Sequence, residues 1–157
     1  MRYVFDTNSL SKLKHFYPDV FKSMWLGLDL LVQHGDMLST REVWNEMQRG
    51  NPDPYVTQWL KQRKELIFTT PTTLELQFVA RIFQIKHFQS LIGVQQRLKG
   101  TPVADPFIIA CAKAHEGTVV SEEKFKPHAA KIPNVCLHFK IPCIDLQEFM
   151  QQQEWSF

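Results

Sequence analysis

The sequence predicts an α/β fold: three layers, α/β/α, around a central parallel sheet of four to five strands. Three observations predict it. Short apolar or β-branched runs recur at RYVF (2–5), DMLS (36–39), LIFTTP (66–71), TVVS (118–121) and IPCID (141–145). Helical segments separate these runs, and strand–helix–strand connections are right-handed crossovers that place strands side by side in parallel. The chain has 157 residues, 44% hydrophobic and 22% charged, which suits one domain with a substantial core. No repeat or linker divides it.

The elements follow in order. RYVF reads as a buried strand and Asp6 to His15 as a helix with a polar start. Pro18 marks the first turn of an amphipathic helix that Gly35 stops. After DMLS, REVWNEMQRG is helical and closes at Gly50. Asn51-Pro52-Asp53-Pro54 is a turn that launches a helix through Trp59 to Lys64. Residues 72–98 read as helical with a break near His87, and Thr101-Pro102 ends that stretch. ADPFIIACAKAHEG is a helix with Asp105 as its cap, Pro106 at its first position and Gly117 at its end. TVVS is a strand, residues 124–130 are loop, and KIPNVCLHF is a short helix. IPCID is the last strand, followed by a helix into the Gln-rich tail.

The bulk properties exclude several classes. A net charge of +2 neither requires nor forbids a nucleic-acid partner. Three cysteines, Cys111, Cys136 and Cys143, are too few and odd in number for a disulfide framework. The first apolar run is too short for a signal peptide, and Asp29 and Asp105 interrupt the most apolar stretches, so no membrane span is expected. The expected location is cytoplasmic.

In parallel α/β sheets the functional site lies beyond the carboxyl ends of the strands. That rule selects Asp6, directly after RYVF, and Glu122 and Glu123, after TVVS. Asp6 opens a run of four polar residues, Asp6-Thr7-Asn8-Ser9, any of which can cap the helix. The expectation is a division of labour: Asp6 faces the site, while Thr7, Asn8 and Ser9 cap the helix and line a phosphate path. Glu42 and Glu46 share a helix at i, i+4. Ser39-Thr40-Arg41-Glu42 reads as a capping box, which gives Glu42 a structural task. By helical geometry Glu46 is expected nearer the buried stripe of Val43, Trp44 and Met47. Asp105 heads an apolar helix, so it belongs near the middle of the molecule. Carboxylates from separate segments meeting at one sheet edge suit Mg²⁺ or Mn²⁺.

The ordered set of strand-DTNS, EMxxG on a helix, ADPFIIACA and TVVSxE resembles the PIN domain. It is most similar to the VapC-type toxins and to a PIN-like group described only as a domain of unknown function. The resemblance covers nearly the whole chain, including the ending KIPNVCLHFKIPCIDLQEFM. It implies Mg²⁺- or Mn²⁺-dependent endoribonuclease activity on RNA, with Asp6, Glu46, Asp105 and Glu123 as the catalytic, metal-binding carboxylates. Thr7, Asn8, Ser9 and Ser121 would support them on the phosphate side, and Glu42 and Glu122 are the alternatives. The fourth position departs from the family's usual pattern, with Glu123 where Asp is common and Ser121 where Thr is usual. The resemblance also implies a cognate antitoxin, XRE-type or VapB-like, and a homodimer to which Trp155-Ser156-Phe157 could contribute. Candidate RNA-contacting cations are Lys12, Arg41, Arg49, Lys61, Arg63 and Lys64.

Three other readings compete. A non-catalytic PIN-like module that binds RNA or protein is the main alternative. A phosphatase using a phosphoaspartate would need a second Asp two residues after Asp6, where Asn8 stands. A zinc site at Cys136, His138 and Cys143 matches no standard spacing, and core packing is the simpler role for these cysteines.

Overall fold

A computed structural model describes residues 1–91 and 103–157. Residues 92–102 lie outside the described residues, and with them the end of the predicted 72–98 segment and the Thr101-Pro102 break. Strand β1 (Tyr3–Phe5) is fully buried and leads into α1 (Thr7–Lys12), which tightens into a 3₁₀ turn at Leu13–His15. Then come α2 (Lys22–Gln33), β2 (Met37–Thr40), α3 (Arg41–Arg49), α4 (Pro54–Gln62), α5 (Lys64–Ile67) and β3 (Phe68–Thr69). Helix α6 (Thr73–Phe83) is followed by a 3₁₀ stretch, Lys86–Leu91. The second half holds α7 (Ala104–Ala114), β4 (Thr118–Val120), α8 (Ile132–His138), β5 (Cys143–Ile144) and α9 (Leu146–Gln152).

The five strands form one parallel sheet in the order β3-β2-β1-β4-β5. Tyr3, Val4 and Phe5 pair with Thr118, Val119 and Val120 of β4, while Tyr3 and Val4 pair with Met37 and Leu38 of β2. The chain therefore leaves β1 towards one edge and returns to its other side at β4. That reversal opens a crevice at the carboxyl ends of β1 and β4. Helices cover both faces, which is why the strands read as continuous apolar runs.

The core continues from Val4 and Phe5 into Ile108, Ile109 and Ala112 of α7 and Phe149 of α9. Phe149 meets the rings of Tyr3 and Phe5 edge-on at 4.9 and 5.0 Å. Close approach dictates one glycine: a Cβ at Gly117 would lie 2.8 Å from the Arg2 carbonyl oxygen. A Cβ at Gly27 would lie 2.5 Å from the indole of Trp155, so the aromatic tail folds back onto α2. Phe157 continues that contact against Phe21, with ring centroids 5.7 Å apart.

Several local expectations are corrected. Helix α2 begins at Lys22, four residues beyond Pro18, which sits in a turn. Thr40 caps α3, accepting from the Val43 amide, and Ser39 instead donates to the Phe5 carbonyl. The Ser39–Glu42 capping box is therefore absent. Reciprocal boxes form at Thr72 with Glu75 and at Asp145 with Glu148. Val103, not Asp105, caps α7, so Pro106 is its third residue, still within the turn whose amides lack helical acceptors.

Candidate functional site

Asp6 stands where β1 ends, at the crevice. It is 2% exposed and carries two jobs at once. Its Oδ1 caps α1 by accepting from the Ser9 amide at 2.9 Å, and its Oδ2 accepts from the Ser121 hydroxyl at 2.6 Å. The expected division of labour is corrected here: the cap is Asp6 itself. Thr7 donates to Glu46 Oε1 at 3.2 Å. Asn8 accepts from the Glu122 amide, and the Ser9 hydroxyl donates to the carbonyls of Asp6 and Val120. These side chains knit β1–α1 to β4 and α3.

Glu46 rises from the middle of α3. Its second oxygen accepts from the Ala104 amide at 3.1 Å, the first free amide of α7. One carboxylate thus joins α1, α3 and α7. Glu123 accepts from the Ile132 amide at the start of α8, at 2.9 Å. Glu122 is paired with Lys12 at 3.1 Å and accepts from the Leu146 amide. Asp105 sits in the first turn of α7 with its carboxylate released from capping.

The carboxylates line one cleft of about 890 Å³, whereas Ser9 and Ser121, expected on its phosphate side, are buried behind Asp6 and do not line it. Asp6, Glu46, Asp105, Glu122 and Glu123 are there with Thr7, Asn8, Ser11, Lys12, Lys14 and His15. Burial pushes the Asp6 carboxyl up to about 6, opposed by the hydrogen bonds from Ser121 and Ser9 and helped by Glu123. Burial also pushes Asp105 up to about 7, and the charges of Glu123, Glu46 and Asp6 add to the rise. These couplings show that the four carboxylates share one field. Among the described residues, no three of them bring oxygens all within 4.8 Å of one another.

Other predicted residues lie elsewhere. Glu42 is 3% exposed and more deeply buried than Glu46, reversing the order expected from the helical wheel. It lines a separate small cavity with Arg41, Asn45 and Arg49. Arg63 pairs with Asp29 at 2.6 Å and stacks on Trp59, while Lys64 lies over Trp44. Lys61, Arg63 and Lys64 are not among the cleft's lining residues. Sequence reasoning missed Ser11, Lys14 and His15. The spacing Asn8, Ser11, Lys12, His15 is i, i+3, i+4, i+7, one helical face, and that signal could have found two of them. Cys136 and Cys143 lie within hydrogen-bonding reach of each other, and the His138 ring packs on Phe88 and Phe139. Among the described residues the grouping of metal-ligand types is a different one, Glu75, Cys111 and His115.

The fold and this crevice define the class: a five-stranded parallel α/β domain with a carboxylate-lined cleft at its strand-order reversal. A family model described as a domain of unknown function, DUF4411, matches residues 3–157, and the chain belongs to that family. Among solved structures it is similar to VapBC2 from Rickettsia felis bound to a DNA fragment from their promoter, at 14% identity and a TM-score of 0.51. That match covers 92% of this chain and 98% of the other, and at this identity it is a likeness of fold. No curated protein matches the chain. Among the described residues, no helix is long and apolar enough to cross a membrane.

Proposed function

We propose that this chain is a Mg²⁺- or Mn²⁺-dependent endoribonuclease, the VapC-like toxin of a toxin–antitoxin pair. The observation that carries the reading is the meeting of Asp6, Glu46, Asp105 and Glu123, from four separate segments, in one cleft at the strand-order reversal. The donor set is all oxygen and strongly anionic, which suits a hard divalent cation. A bound cation would supply an activated water and neutralise charge building on the phosphate. Asp6, Glu46, Asp105 and Glu123 are the residues that would hold it.

The chain's own groups set the rest. Ser121 and the Ser9 amide fix the Asp6 carboxylate on rigid sheet. Thr7 and the Ala104 amide fix Glu46 between three helices. Lys12, Lys14 and His15 present donors along the α1 side of the cleft, where an RNA phosphate can lie. Ser11 and Asn8 add polar contacts on the same helical face. The pairing of Lys12 with Glu122 keeps one cation beside the anionic centre, where it can offset the approach of two like charges.

Cleavage of single-stranded RNA with Mg²⁺ or Mn²⁺ tests the reading. Wild type should cut and Asp6→Asn and Asp105→Asn should not. Equal cleavage by all three, or none by wild type with either metal, favours the non-catalytic RNA- or protein-binding module. A cognate antitoxin, XRE-type or VapB-like, and a homodimer belong to the same proposal. Light scattering that reports a monomer would remove the dimer.

A further inference from the structure

A second cluster lies outside the cleft. Cys111 and His115 share one face of α7 at i, i+4, and Glu75 faces them from the first turn of α6. Each offers a donor atom within 4.8 Å of the other two. Cys111 is fully buried, Glu75 is 2% exposed, and His115 is half-buried and provides a way in from solvent. Along α7 the pair begins six residues beyond Asp105 and ends ten beyond it, roughly 9 and 15 Å by helical rise. The cluster does not line the cleft.

A second observation points to a missing partner. Glu42 is 3% exposed, and its Oε2 is buried with no hydrogen-bond partner among the described residues. Among the described residues its other oxygen is met only by the Arg41 guanidinium, at 3.4 Å. The charge of Glu42 is felt by both Glu75 and Cys111, so these groups share a neighbourhood. Two buried carboxylates beside a buried thiol are costly unless cations offset them. The nitrogen groups that face them are at the margin. His115 Nε2 stands 3.8 Å from Glu75 Oε1, and exposed Arg2 donates to His115 Nδ1 at 2.9 Å.

We infer that Glu75, Cys111 and His115 form a binding site for a borderline divalent ion of the zinc class, with Glu42 as the neighbouring carboxylate. A thiolate, an imidazole and a carboxylate are the mixed S, N and O donors that such ions take, and that Mg²⁺ does not. The site would pin the start of α6 to the end of α7, two helices that pack directly on each other. Binding at Nε2 moves the ring proton to Nδ1, so Arg2 must turn away. The Cys111 thiol loses its proton to solvent as the metal–sulfur bond forms.

Co²⁺ titration of the reduced full chain tests this, carried out in the Asp6→Asn, Asp105→Asn background so that the cleft cannot contribute. The expected result is one equivalent of Co²⁺ bound with a thiolate-to-cobalt charge-transfer band. Cys111→Ser should remove the band. His115→Gln, at a half-buried position that should not threaten folding, should weaken binding roughly tenfold or more. Cys136→Ser should change neither. Absence of the band in the parent protein, or its survival in Cys111→Ser with loss in Cys136→Ser, would overturn the assignment. The outcome is independent of RNA cleavage.

Discussion

Asp105→Asn should stabilise the metal-free protein, because the wild-type carboxylate is held where its charge is unwelcome. Burial first, then the charges of Glu123, Glu46 and Asp6, raises it from 3.8 to about 7. A raised carboxyl binds its proton more tightly in the folded state than in the unfolded one. Its stability contribution is therefore fullest below the unfolded pKa and is lost as pH rises through the folded value. A rise of this size corresponds to about 4 kcal/mol at pH 8 as an upper bound, since each pKa unit is worth 1.36 kcal/mol. Asparagine keeps the shape and removes the ionisation. In a domain of this size each kcal/mol moves Tm by roughly 2–4 °C, so the variant should melt several degrees above wild type at pH 8. The advantage should shrink by more than half at pH 5. Urea unfolding at both pH values, without divalent metal, measures it. A variant no more stable than wild type at pH 8, or an advantage that does not change with pH, would refute the shared-field reasoning.

Further expectations follow from the same geometry. Mn²⁺ should raise Tm more at pH 8 than at pH 5.5, because Asp6 and Asp105, near 6 and 7, are largely protonated at the lower pH; equal shifts would argue against carboxylate binding. Asp6→Ala should lose about 1 kcal/mol more stability than Asp6→Asn in urea unfolding, since asparagine can still accept the Ser9 amide and alanine cannot. Gly117→Ala should cost about 1–3 kcal/mol, because the new methyl meets the Arg2 carbonyl where backbone must shift; a neutral result by thermal denaturation would show that the end of α7 yields. Thr7→Val should lower RNA cleavage while leaving Tm within a degree or two, as it frees Glu46 Oε1 without opening the core; unchanged cleavage rates would remove Thr7 from the site's support.

The sheet was legible because its three central strands are buried and mostly apolar or β-branched. RYVF and TVVS also flank the topological reversal, so locating the crevice followed from their order. The cap of α7 was not legible. Asp-Pro is a strong helix-start signal, but Val103 takes the cap position and leaves Asp105 as the second residue of the first turn, where only tertiary packing decides its role. The same override exchanged Glu42 and Glu46: a helical wheel ranks faces against a single core, whereas α3 contacts α1, α7, β2 and β3. The basic stretch around Arg63 is absorbed by Asp29 and Trp59, a pairing across 34 positions that no local pattern announces. Glu75, Cys111 and His115 were invisible for the same reason, since α6 and α7 are distant in sequence at the point where they meet.

The placement of β1 divides the cleft into unequal halves. Asp6 follows a strand hydrogen-bonded on both sides, and Glu123 follows the strand beside it. Glu46 and Asp105 ride on helices, linked through one carboxylate-to-amide contact. The helix-borne pair is nonetheless tied to the sheet, because Ile108 and Ile109 of α7 share the core of Val4 and Phe5. The centre is thus anchored by the sheet on one side and, on the other, by a single carboxylate that ties the middle of α3 to the start of α7.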